Sequence, residues 1–60
     1  MKIRTNKEVR IPQLMKVRKV YEEDGEHYIM MDGEWWGLNG YKDYLKDTFA
    51  INISYEFVEG

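Results

Sequence analysis

The stretch Val20-Tyr21-Glu22-Glu23-Asp24-Gly25-Glu26-His27-Tyr28-Ile29-Met30-Met31-Asp32-Gly33-Glu34-Trp35-Trp36 decides how this chain folds. Two Asp-Gly pairs punctuate it, Asp24-Gly25 and Asp32-Gly33. Each suits a two-residue hairpin turn, whose central positions need positive φ; Gly adopts that freely and Asp tolerates it. Three strands follow, about 14 to 23, 26 to 31 and 34 to 38, and the turns set their register. Around the first, Tyr21 faces Tyr28, Val20 faces Ile29 and Lys19 faces Met30. Around the second, Met30 faces Trp35 and Ile29 faces Trp36.

Strand side chains alternate between two faces. One face therefore carries Val20, Ile29, Met31, Trp36 and Leu38, with Leu14; the other carries Met15, Val17, Tyr21, Tyr28, Met30 and Trp35. Both are apolar or aromatic. An antiparallel sheet over a single core is polar on its far side, so two such faces need two coverings. Trp35 and Trp36 occupy successive positions and cannot share a face.

Outward from this meander, Asn39 reads as an N-cap for a short helix over about 40 to 47. Its apolar stripe is Tyr41, Tyr44, Leu45 and Thr48 at i, i+3, i+4 and i+7. That stripe covers only part of one face. The opposite aromatic set is left to the N-terminal segment, a second subunit or a target. Further on, Phe49, Ile51, Ile53, Tyr55 and Phe57 alternate with small or polar residues, which predicts a C-terminal strand over 49 to 58. Residues 11 to 20 read either way. Ile11, Leu14, Met15 and Arg18 fit helical spacing with Pro12 in a first turn. Val17, Val20 and Tyr21, and the turn they enter, favour a strand.

The expected architecture is α+β: a single domain over 1–60, with a small antiparallel sheet (a meander of about three strands plus the C-terminal one) and one short helix. A 60-residue chain buries only about 60% of its unfolded surface, so the stability margin is small. With no cysteine and His27 as the one histidine, disulfides and Cys/His zinc sites are excluded. An efficient core or self-association is left to compensate. No apolar run approaches a membrane span and no secretory signal opens the chain, so a cytoplasmic location is expected.

The net charge of −2 hides a division. Residues 1 to 20 carry seven basic groups against Glu8, a balance of +6; residues 21 to 60 carry two lysines against ten acids, a balance of −8. Either the halves fold side by side and offset each other, or they form a partner's electrostatic footprint.

Catalysis has little to work with. Ser54 is the one serine and falls on the polar side of its strand, with no base in view. His27 lies opposite Glu22, an ordinary cross-strand pair. The Glu22–Glu26 run reads as a solvated turn, not a calcium loop. No cofactor, metal or small-molecule substrate is indicated, and a non-enzymatic protein is expected.

Two binding classes compete. Exposed aromatic and Met residues inside a charged rim describe protein interfaces, which nominates Tyr21, Tyr28, Met30 and Trp35. The same rings could stack nucleic-acid bases, with Lys16, Arg18 and Lys19 steering phosphates. The acids at the hairpin ends and the net negative charge oppose that reading. Mimicry of a nucleic-acid backbone by the acidic last forty residues is a third possibility, weakened by the basic first twenty.

The ends of the chain carry a resemblance. Met1-Lys2-Ile3-Arg4-Thr5-Asn6-Lys7-Glu8, the Ile11-Pro12-Gln13-Leu14 that follows, and Asp47-Thr48-Phe49 with its alternating continuation resemble short early-region proteins of temperate phages of Gram-positive bacteria, of the phi PVL type. In that family the stretch after the proline looks helical, whereas Val17–Tyr21 here leans to strand. The family has no established chemistry to carry onto residues, so it assigns no site. It implies a phage accessory protein acting in the bacterial cytoplasm on a host or defence protein. The reading reached is a protein-binding modulator, with a bacterial host protein or a second copy of itself as partner.

Overall fold

The computed structural model describes residues 1–59, and both Asp-Gly pairs sit at hairpin corners. Asp24 and Gly25 have φ of 52° and 79°, Asp32 and Gly33 φ of 54° and 79°, the left-handed geometry such turns demand. Tyr21 faces Tyr28, Glu22 faces His27, Met30 faces Trp35 and Ile29 faces Trp36, as the turn arithmetic expects.

In chain order the elements are β1 (Ile3–Ile11), a 3-10 turn (Pro12–Leu14), β2 (Lys16–Glu23), β3 (Glu26–Met31), β4 (Glu34–Gly37), α1 (Leu38–Phe49) and β5 (Glu56–Glu59). The strands form one five-stranded antiparallel sheet in the order β4-β3-β2-β1-β5. The chain is thus a small α+β fold with one helix.

The core lies on one face only. Val9 and Ile11 from β1, Val20 from β2, and Ile29 and Met31 from β3 meet Tyr41 and Leu45 of α1 and Ile53 beyond it. Leu14, Trp36, Leu38 and Tyr55 pack half-buried around them. Tyr41 and Leu45 stand four residues apart, so they share one side of the helix. Tyr44 and Thr48, the rest of the expected stripe, stay exposed. After α1 the chain crosses this inner face from the β4 side to reach the far edge beyond β1. Tyr55 anchors the crossing by donating its hydroxyl to the Leu38 carbonyl at 2.6 Å. Gln13 also holds it, donating from Nε2 to the Ser54 hydroxyl and accepting the Ser54 N–H, each at 3.0 Å.

Four sequence expectations are corrected in detail. The N-terminal segment is not a covering layer; it is β1, a nine-residue strand with neighbours on both sides. Its charged residues hide the strand pattern, and only Val9 and Ile11 reveal the buried side. The strand expected from 14 begins at Lys16. Leu14 closes the 3-10 turn after Pro12, and Met15 takes left-handed φ of 54° with its N–H bonded to the Pro12 carbonyl. The competing reading of 11 to 20 as a longer helix thus shrinks to one turn.

The helix spans Leu38–Phe49, longer than 40 to 47, and its N-cap is Gly37, not Asn39, which lies in the first turn. The predicted strand over 49 to 58 pairs only over Glu56–Glu59. Phe49 ends the helix, and Ala50 at φ 56° caps it: its N–H reaches the Lys46 carbonyl, and the Ile51 N–H reaches Leu45. Residues 51 to 55 run outside the sheet. Ile53 and Tyr55 keep the inward half of the alternation, while Phe49, Ile51 and Phe57 are exposed. Alternation reports which side of an extended segment is buried, not whether the segment joins a ladder.

Candidate binding face

Among the described residues, no element covers the outer face of the sheet. Cross-strand partners share a face, so the pairs Arg4–Tyr21, Tyr21–Tyr28 and Met30–Trp35 place these residues together opposite the core. Trp35 is 41% exposed and Met30 37%; Tyr21 and Tyr28 are half-buried. All four residues nominated for protein binding therefore lie on one contiguous surface. The two indoles separate as pleat parity requires. Trp36 lies on the inner side, with ring centroids 5.4 Å from Tyr41 and 4.9 Å from Tyr44.

The outer rings are held in place rather than loose. Trp35 meets Tyr21 edge-on at 4.8 Å and 77°, a geometry in which a positive ring edge meets a negative ring face. The Lys2 ammonium lies 4.7 Å from the Tyr28 centroid and 5.2 Å from that of Trp35, a double cation–π contact. Glu23 fixes Lys2 from the other side, accepting its ammonium at 3.2 Å while also pairing with the N-terminal amino group. Hydrogen bonding to the amino terminus first, and to Lys2 second, holds the Glu23 carboxyl below its ordinary pKa of 4.5. Rings clamped in this way lose little freedom when a partner covers them. Lys2 escaped the sequence reading, because it reaches these rings only once β1 is laid beside β2, and no local pattern signals that pairing.

The three basic residues nominated for nucleic acid are not brought together. Val17 faces Arg10 and Lys19 faces Glu8 on the outer side, whereas Arg18 faces Val9, a core residue, so Lys16 and Arg18 flank the inner side. Lys19 is paired with Glu8 at 3.3 Å. Arg10, also outward, is engaged by Glu56 of β5. His27 Nε2 stands 3.7 Å from a Glu22 carboxylate oxygen, on the inner side near the exposed Phe57 ring, whose centroid is 6.4 Å away. Ser54 is occupied by Gln13. Neither residue is joined to a nucleophile–base arrangement. Among the described residues, no group of three or more His, Cys, Asp or Glu could hold a metal ion, and no helix is long and apolar enough to cross a membrane.

A second, smaller apolar area sits on the helix side. Tyr44 and Phe49 meet edge-on at 5.9 Å, both exposed. Trp36 of β4 backs Tyr44, and among the described residues no cation lies over these two rings. What the outer face can do chemically is present a preformed aromatic and thioether surface, centred on Trp35 and Met30 and bordered by Glu23, Glu26, Lys19 and Arg4. The chain matches no family model, no curated protein and no solved structure.

Proposed function

We propose that this chain is a non-enzymatic binding protein that docks a partner protein on the outer sheet face through Tyr21, Tyr28, Met30 and Trp35. The observation that carries the reading is the exposure of Trp35 and Met30 on a sheet face that none of the described elements covers, beside rings clamped by Lys2. A large indole held in one orientation supplies contact area at low entropic cost, and such residues dominate interface energetics. The resemblance at the chain ends supports a bacterial host or defence protein as the partner, with the chain as its phage-encoded modulator in the cytoplasm. A second copy of the chain would compete for the same face, so self-association and target binding are mutually exclusive uses of it.

The test is capture from bacterial lysate by the intact chain, with Trp35→Ala as paired control, beside its mass in solution. The partner should be retained by the native chain and weakened at least about tenfold by the substitution, which is typical of a central interface tryptophan. Equal retention by both chains, or loss of fold in the variant, would remove this reading. Single-strand nucleic-acid binding is the second reading, and the exposed outer rings favour it. It requires affinity that falls steeply with salt. The inward position of Lys16 and Arg18 counts against it.

A further inference from the structure

The outer aromatic face already holds a cation of the chain's own. Lys2 stands before β1, whose first ladder pair joins Ile3 to Glu22. From that end of the sheet its side chain reaches past β2. The ammonium comes to lie 4.7 Å from the Tyr28 centroid on β3 and 5.2 Å from that of Trp35 on β4. The side chain is only 21% exposed. Lysine stems lie on apolar surface while the charge ordinarily stays in water. Here the charge too is drawn in, by ring faces and a carboxylate.

The strands build the slot that the ammonium fills. Gly37 faces Tyr28 and has no side chain, which leaves the Tyr28 ring beside it; a Cβ on Gly37 would stand 3.8 Å from Tyr28 Cε2. Trp35, edge-on against Tyr21, sets a second ring next to that one. Glu23 closes the slot, its carboxylate accepting the Lys2 ammonium at 3.2 Å. Glu26 faces Glu23 in the ladder and enters no ion pair among the described residues. Arg4, also on this face, belongs to β1, two strands from Tyr28. With Lys2 withdrawn, the two ring faces would hold no cation and Glu23 would lose one of its two cationic partners.

We propose that Tyr28, Trp35 and Glu23 form a cation subsite for a lysine side chain of the docked partner protein, and that Lys2 fills it in the free chain as a tethered stand-in. The inference rests on the outer face being the docking surface. The occupant is read from the seated group itself: a primary ammonium on an apolar stem, its charge over the rings and its hydrogen bond on a carboxylate. Lys2 lies outside β1, so its departure leaves the strand pairings intact. A group tethered so closely competes like a free ligand at an effective concentration on the order of millimolar. The face is thus partly blocked by its own chain until a partner lysine displaces Lys2.

The experiment follows the full chain by NMR, reading the Tyr28 ring protons and the Trp35 indole N–H, with the Trp36 indole N–H as internal control. The probe is Nα-acetyl-lysine methylamide, and its norleucine analogue supplies the same stem without the charge. In Lys2→Gln, with the fold checked by circular dichroism, the lysine probe should move Tyr28 and Trp35 but not Trp36. Its dissociation constant should be at least about fivefold lower than for the native chain, where Lys2 competes. Adding Glu23→Gln should weaken the probe again, by about twofold to fivefold. Should Lys2→Gln lose its fold, the native chain gives the same reading at higher probe concentration.

Equal binding of the lysine and norleucine probes would overturn the cation subsite and leave an apolar docking face. Lysine-probe binding that Lys2→Gln fails to tighten would overturn Lys2 as the stand-in. Absence of shifts in both chains would overturn the subsite alone, since partner capture judges the docking face separately. Partner capture indifferent to Trp35→Ala would remove the docking reading, and this inference with it. An oligothymidylate that moves the same rings at lower concentration than the lysine probe would assign them to nucleic acid instead.

Discussion

The two faces of this sheet are written in alternate residues of the same strands, yet they have opposite fates. On the inner face Val9, Ile11, Val20, Ile29 and Met31 are almost wholly enclosed, because α1 and the crossing at Ile53 seal it. On the outer face Met30 and Trp35, one residue along from Ile29 and Met31 or from Trp36, remain open to solvent. Apolar character alone therefore does not place a residue in a core. What separates the faces is the supply of covering elements, and sixty residues supply one set. The inner face is where stability resides; the outer face is an apolar surface left in contact with water.

That contrast can be broken most directly at adjacent positions of β3. Ile29→Ala should cost about 2–4 kcal/mol, because the deletion leaves a cavity in an enclosed site. In a domain this small that is most or all of the available stability. Met30→Ala should cost under about 1 kcal/mol, as at an exposed site. Urea unfolding followed by circular dichroism compares the two, and equal losses would mean that the outer face is also core.

The tryptophans offer the next contrast. Trp36→Ala removes a ring packed on Tyr41 and Tyr44 and should cost roughly 2–3 kcal/mol, less than a fully buried ring. Trp35→Ala should cost about 1 kcal/mol or less in folding, while its effect on binding is the larger one. Fluorescence unfolding of each single-tryptophan variant reads both, and a reversed order would exchange the roles of the two faces.

Two smaller changes probe how the inner covering is held. Burial, with lesser contributions from Tyr41 and Asp43, pushes the Tyr55 hydroxyl up to about 12 from its ordinary 10.0. The folded state thus favours the protonated phenol. Its contribution is complete below pH 10.0, the unfolded value, and is lost as pH rises through about 12. Tyr55→Phe removes the bond to Leu38, should cost about 1 kcal/mol at neutral pH, and should flatten the alkaline limb of the stability profile. Ala50→Gly should do the reverse, gaining about 1 kcal/mol in melting experiments by relieving a left-handed Cβ at the helix end.

The smallest expected effect is on the outer side. Glu23 is half-buried and its carboxyl is lowered, so its contribution is present above pH 4.5 and is lost as pH falls through the lowered value. An acid NMR titration should show the Lys2, Tyr28 and Trp35 resonances moving together with Glu23. Independent movement would mean that Lys2 is not clamped.

Legibility in the sequence followed the range of the interactions. The two Asp-Gly corners require positive φ of their own residues, so register, facing pairs and the separation of Trp35 from Trp36 follow from the residues at the turns. The four outer-face residues came with them. The helix was legible through Tyr41 and Leu45, but its first turn was not, since Gly37 caps it without a side-chain signal. The strand character of residues 3–11 was hidden beneath charges, and with it went Lys2 over the rings and the register shift between Arg4 and Glu8, where the Thr5 hydroxyl bridges the Val20 carbonyl and the Lys7 N–H. Phe49–Phe57 misled in the other direction, because the strongest alternation in the chain belongs partly to a helix end and to a segment outside the sheet.

Local backbone chemistry, acting within a few residues, determined the meander, its parity and the existence of two apolar faces. Which face would be sealed depended on where α1 and the crossing after it came to rest, and on β1 pairing between β2 and β5. Those are contacts between residues from opposite ends of the chain, as with Val9 and Phe57 in the ladder. Their outcome is set by the packing of the whole molecule, so only the tertiary structure decided that Trp35 would face solvent with Lys2 across it.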